Sequence, residues 1–360
     1  MHCRHVEELF FNALRHAISG EGLQENEFVR LSTNEWHALY HMAVKQGVLA
    51  IVYDALGDVR HCIPKNIKIL WALGVEQIER RYIKQEKLAI EISDIFSKHN
   101  INIVVLKGLA ISRYYPIPKH RECGDFDCFL FDKFKEGNDV AQQVGAEVRC
   151  DDYKHSHIIY KGLMIENHRY CTPIRGGRTN KKFEQYIQGL LKAESCEYLH
   201  NSVLIVPNAT FNALFLARHS LTHFLYEGIN MRQVIDWACM LKHEQDRIHW
   251  EDFYLWCKKM HMSRFVNLMN CFAHRYLGVK LFNSNVQLRD VELEQFVSNI
   301  LYETNSVYNK PHLSLWQQRW AILKNMHSDR WKFNKVYQKC LLSECAKALY
   351  GVVFERNPKL

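Results

Sequence analysis

The segment Gly124-Asp125-Phe126-Asp127-Cys128-Phe129-Leu130-Phe131 sets two carboxylates, one residue apart, at the mouth of an apolar run that reads as a buried strand. Side chains alternate faces along a strand, so Asp125 and Asp127 project the same way. Two like charges about 4 Å apart repel by about 4 kcal/mol at an effective dielectric near 20. Such a pair is tolerable only where a proton or a cation intervenes. A divalent metal is the natural candidate, and the fold has to be one that can present it.

The surrounding pattern predicts an α+β fold in which a small mixed β-sheet core lies between helical flanks. Residues 1–98 read as a helical N-terminal region. Leu9, Phe10, Leu14 and Ile18 recur at helix spacing, as do Trp36, Tyr40, Ala43, Val44 and Val48, and a further helix is expected from Gly74 to Lys98. Residues 99–182 read as the core. Ile101 to Leu106 is a β-branched strand followed by Lys107-Gly108 and a helix over Leu109 to Tyr115. Pro116 and Pro118 end that helix, and the basic loop Lys119-His120-Arg121 leads into the carboxylate strand. After a helix over Lys133 to Val144, strands are expected at Ala146–Cys150, His155–Tyr160 and Leu163–His168, the last two joined by a Lys161-Gly162 hairpin turn. Residues 183–360 read as a helical C-terminal domain, with long amphipathic stretches over Phe211–Leu241 and Trp250–Leu277 and a basic, aromatic tail around Arg330-Trp331-Lys332-Phe333.

The order strand, Lys-Gly turn, basic loop, Asp-x-Asp strand and a later strand bearing Glu166 resembles the nucleotidyltransferase superfamily of the DNA polymerase β type. Within it, the chain most resembles an uncharacterised bacterial nucleotidyltransferase family. The residues that carry the likeness are Leu106-Lys107-Gly108, Arg121, Gly124-Asp125-Phe126-Asp127 and Glu166-Asn167-His168, together with Gly228, Arg232 and Asp236. The resemblance spans about Trp36 to Leu277. It implies a metal-dependent enzyme that moves a nucleoside monophosphate from a nucleoside triphosphate, ATP among the candidates, to a hydroxyl and releases pyrophosphate.

Asp125, Asp127 and Glu166 are then the catalytic carboxylates and ligands of two Mg2+ ions, for which Mn2+ is a substitute. Lys107, Gly108, Arg121, Gly124, His168, Arg232 and Asp236 are the expected nucleotide-binding residues. Glu147, Asp151 and Asp152 are alternatives for the third carboxylate. Where the wider superfamily commonly has a small residue after the glycine, this chain has Leu109.

Other polar groups have more ordinary readings. His155 and His157 alternate onto one strand face and are expected to be structural. His219 and His223, four apart on a helix, suit polar contacts across the cleft, and Arg232 with Asp236 suits a helix-surface ion pair. The tail reads as core packing with a charged outer face or as an RNA surface.

Of the 360 residues, 48% are hydrophobic, and Lys plus Arg outnumber Asp plus Glu by 47 to 39. That balance favours anionic partners without choosing among them. The 12 cysteines fall at no zinc-ligand or redox spacing, and no apolar run is long enough to cross a bilayer. A reduced, cytoplasmic protein without stable membrane insertion is expected. The acceptor is left open among a small molecule, RNA and a protein. A catalytically inactive nucleotide- or RNA-binding module and a tRNA-modifying toxin or defence effector are the competing functions.

Overall fold

The computed structural model describes residues 2–150, 153–175, 177–192, 197–200, 202–282, 290–302 and 315–346. The fold is α+β, with one seven-stranded mixed sheet among helices. The strands are β1 (Ile103–Val105), β2 (Phe126–Phe129), β3 (Glu147–Arg149), β4 (His155–Tyr160), β5 (Leu163–His168), β6 (Glu197–Tyr198) and β7 (Leu204–Val206). They lie in the order β3-β4-β5-β2-β1-β7-β6, with β2 parallel to β5, β1 parallel to β7 and the other neighbours antiparallel.

Alternation divides the sheet cleanly. Ile103, Val105, Phe126, Cys128, Ile158, Tyr160, Ile165, Leu204 and Val206 face one way, into a core with Tyr82, Leu88, Ala89, Ile92 and Phe96 of the Lys65–Lys98 helix. Val104 and Phe129 face the other way and join a larger core shared with the N- and C-terminal helices. Asp127, Glu166, His157 and His168 lie on this second face. The hairpin between β4 and β5 turns at Lys161 and Gly162 with φ of 49° and 77°. Positive φ at both central residues matches the right-handed twist of the strands, as expected for a two-residue turn.

The long helix begins at Lys65, directly after Pro64, and not at Gly74. The apolar stripe Ile67, Trp71, Val75, Ile78 and Tyr82 runs unbroken through that glycine. Gly74 is instead a point of close approach, since a Cβ there would lie 2.4 Å from Cδ2 of Leu49. Leu49 starts the Leu49–Ala55 helix, and its carbonyl accepts from Nε1 of the buried Trp71 at 3.1 Å. Ser32 and Glu35 form a reciprocal capping box at the head of the Thr33–Lys45 helix.

Two strands also lie beyond the expected core, because β7 pairs with β1 and β6 with β7. Each expected C-terminal amphipathic stretch is two helices. Ala209–Tyr226 and Met231–Glu244 are separated around Gly228 (φ 88°), and Trp250–Lys259 and Ser263–Leu277 around His261 (φ 58°).

The N-terminal His2–Ser19 helix packs on Ser263–Leu277, with the Phe11 ring 4.7 Å from Tyr276 and 5.8 Å from Phe272. In the described part of the tail Phe333 is fully buried, and Trp331 meets Phe224 edge-on at 5.6 Å. Its centre is therefore core packing. No helix among the described residues is long and apolar enough to cross a membrane.

A buried histidine ties the loop before β2 to the helical cap. His120 sits between Asp54 Oδ2 (2.5 Å from Nδ1) and Glu79 Oε1 (2.7 Å from Nε2). Burial alone would lower its pKa, but the two carboxylates outweigh it and raise it. A raised folded-state pKa contributes stability that is fully present below the ordinary histidine value near 6.5 and is lost as pH climbs through the folded value. Thermal unfolding between pH 6 and 9 is expected to show a falling melting temperature that His120→Gln flattens. A wild-type profile that rises over this range would contradict the clasp.

Candidate metal and nucleotide site

Three adjacent strands build the floor of the site. The parallel register of β2 and β5 sets Asp127 opposite Glu166, and the antiparallel register of β5 and β4 sets Glu166 opposite His157 and His168 opposite His155. Adjacent strands lie about 4.8 Å apart, so the Asp127 and Glu166 carboxylates are direct neighbours. Asp125 precedes β2 at the exposed rim. Glu147, the alternative third carboxylate, is three strands from β2, roughly 14 Å at that spacing, and is engaged by Arg149 Nε at 2.6 Å. Asp151 and Asp152 lie outside the described residues.

Asp127 is 2% exposed. Its Oδ1 receives Lys107 Nζ at 3.1 Å and His168 Nε2 at 3.1 Å. Burial would push this carboxyl up, but Lys107 and His168 together hold it well below the usual carboxylate range. For Glu166 desolvation again pushes upward, and the His168 ring, 3.3 Å from its Oε2, turns the net shift downward. Asp125 goes the other way. Lost hydration raises it first, and the charges of Glu166 and Asp127 raise it further.

Lys107 Nζ also approaches His219 Nε2 at 3.4 Å. Desolvation, then Lys107 and His223, lower the His219 pKa well below the usual histidine range, so a neutral ring accepts from the ammonium. His219 thus makes the polar contact across the cleft that the spacing suggested, whereas His223, edge to face with it at 4.4 Å, pairs through Nδ1 with Glu227 at the end of its own helix at 2.6 Å.

The loop that delivers Asp125 is held from behind. Gln85 on the long helix donates to the Gly124 carbonyl at 2.8 Å. Arg121 is buried and donates in bidentate fashion to Asp236, at 2.8 Å from Nε and from Nη2, while Tyr115 donates to the same carboxylate at 2.6 Å. Arg232 donates to the Glu122 carbonyl at 3.1 Å, so the helix-surface pairing of Arg232 with Asp236 is replaced by the longer-range Arg121–Asp236 bridge. Gln85, Arg232 and the Arg121–Asp236 bridge brace the 121–124 loop.

Gly108 has φ 60° and ψ −111°, a conformation that side chains strain to adopt, and this turns the chain so that Lys107 reaches Asp127. The helix after it is one turn, Leu109–Ser112, too short for a substantial dipole. Leu109 is fully buried in the sheet core, which explains an apolar side chain at that position.

The donor set fits a divalent cation. Asp127 Oδ2 is buried with no hydrogen-bond partner, a situation that costs about 1–3 kcal/mol unless something ligates it, and three carboxylates with one nearby lysine leave excess negative charge. The feature least expected from the sequence is the histidine cluster. One candidate ligand atom each from His155, Glu166 and His168 lie within 4.8 Å of one another.

No curated protein and no solved structure matches the chain. Residues 32–278, more than half of it, match the model of a family described as uncharacterised nucleotidyltransferase. The carboxylate face, its lysine and its bracing loop all fall within that span, and the chain belongs to this nucleotidyltransferase family.

Proposed function

We propose that the protein transfers a nucleoside monophosphate from a nucleoside triphosphate to a hydroxyl acceptor, releasing pyrophosphate. The observation that carries this reading is the in-register Asp127–Glu166 pair with Asp125 at its rim and Lys107 on Asp127. Asp125, Asp127 and Glu166 would hold Mg2+ or Mn2+, which when bound supplies charge neutralisation on the triphosphate and eases ionisation of the attacking hydroxyl.

The chain's own groups do the positioning. Lys107, with a quarter of its side chain exposed, would reach a phosphate oxygen as it leaves Asp127. His168 orients both Asp127 and Glu166 from below. Arg121, Gly124, Arg232 and Asp236 contribute by fixing the loop that carries Asp125. The acceptor oxygen bonds to the α-phosphorus as the bond to the bridging oxygen breaks, and catalysis rests on alignment and charge placement.

The test is incubation of the full chain with each α-labelled nucleoside triphosphate, Mg2+ or Mn2+, and separate pools of small metabolites, RNA and protein. Label transfer with equimolar pyrophosphate, abolished by EDTA, is expected. Metal-dependent nucleotide binding with no pyrophosphate from any pool would instead favour a binding module.

A further inference from the structure

We infer that His155, Glu166 and His168 form a binding site for one divalent transition-metal ion beside the Asp125/Asp127 pair. The site is built by the β4–β5 hairpin, whose register sets His155 directly across from His168 and puts Glu166 on the same face two residues before it. One potential ligand atom from each residue lies within 4.8 Å of the others. Donors around a first-row ion at about 2.0–2.2 Å stand roughly 3–4 Å apart, so closure on the metal asks only for small side-chain rotations.

Chemistry separates this site from a magnesium site. Mg2+ takes hard oxygen ligands and keeps its waters, whereas two imidazoles with one carboxylate suit zinc, manganese, iron or cobalt. His168 Nε2 faces the carboxylates, 3.3 Å from Glu166 Oε2 and 3.1 Å from Asp127 Oδ1, so a ring nitrogen already stands beside the carboxylate that would share the ion. The other ring nitrogen, Nδ1, is buried and has no hydrogen-bond partner. The ring stands 5.4 Å from His155, and the neighbouring Asp127 and Asp125 add negative charge that favours any cation here.

Binding at this site stands on the three residues alone. Its place in catalysis rests on the nucleotidyl-transfer reading, in which the shared Glu166 makes this ion the one on the acceptor side.

Metal-free, full-length protein should be titrated with Co2+ and followed by the visible d–d absorption of the protein-bound ion. One equivalent should saturate the bands, Zn2+ should bleach them, and excess Mg2+ should leave them. His155→Ala and the milder His155→Gln, each checked for a cooperative melt, should weaken cobalt binding by at least about tenfold. His61→Ala, on the distant Gly57–Cys62 turn, should bind as wild type. Absence of bands in folded wild type, or unchanged bands in a folded His155 variant, would overturn the inference. Cobalt binding without nucleotide transfer would sink the functional reading and leave the site. Mg2+-supported transfer with no cobalt site would do the reverse.

Discussion

Asp125→Asn should abolish nucleotidyl transfer while leaving the metal-free protein at least as stable as wild type, whereas Asp127→Asn should abolish transfer and lower stability. Both carboxylates sit on one face, but their surroundings push in opposite directions. Lost hydration, and then the charges of Glu166 and Asp127, raise the Asp125 pKa and disfavour its ionised form. Its charge therefore works against the folded state, and the isosteric amide removes that burden. Asp127 is ionised with the help of Lys107 and His168, which outweigh its burial. An amide there can keep its Oδ1 for His168, but it leaves Lys107 without its counter-charge in a buried setting.

Each substitution removes a preorganised charge at the reacting centre, where the loss of one such group typically costs about 10²–10³-fold in rate. Melting in EDTA and label transfer in Mg2+ read the two effects separately. Wild-type turnover in Asp125→Asn, or a lower melting point for it than for Asp127→Asn, would refute this account of the site. The pairing of higher stability with lost function is the usual mark of a site strained for its chemistry.

Much of this arrangement is legible in the sequence where the information is local. The two-residue spacing of Asp125 and Asp127 against Phe126 and Cys128 fixes which side of β2 faces the cleft, and the structure keeps that alternation. The Lys161-Gly162 turn fixes the hairpin register. Counting outward from it pairs His157 with Glu166 and His155 with His168, so the histidine cluster was available to arithmetic once the turn was accepted.

What was not legible depends on distance along the chain or on elements too short to show a period. Leu204–Val206 is three residues, and its strand character comes from pairing with β1, a hundred residues earlier. Gly74 looks like a helix breaker until its neighbour Leu49 is known. Asp236 has a plausible partner four residues away, yet the buried guanidinium 115 residues upstream wins because it offers two parallel hydrogen bonds out of water.

That Arg121–Asp236 bridge yields the largest expected stability effect. Both residues are 5% exposed, so truncating either one strands a charge in the interior, which typically costs about 3–5 kcal/mol. Arg121→Met and Asp236→Leu should each fall in that range by denaturant unfolding. The double variant should recover most of the loss, because replacing both charges also removes their desolvation penalty.

Recovery should stop short of wild type. Tyr115 loses its acceptor, and an orphaned buried hydroxyl costs about 1–3 kcal/mol. Adding Tyr115→Phe should close that gap. Transfer should not follow stability back, because the bridge also ties the 121–124 loop to the Met231–Glu244 helix and Asp125 is the next residue in that loop. A restabilised triple variant should therefore keep a depressed kcat. If Arg121 were chiefly a phosphate ligand, Arg121→Met would leave the metal-free protein's unfolding nearly unchanged and raise KM for the triphosphate. Single variants costing under about 1 kcal/mol, the range of exposed ion pairs, would decide for that alternative.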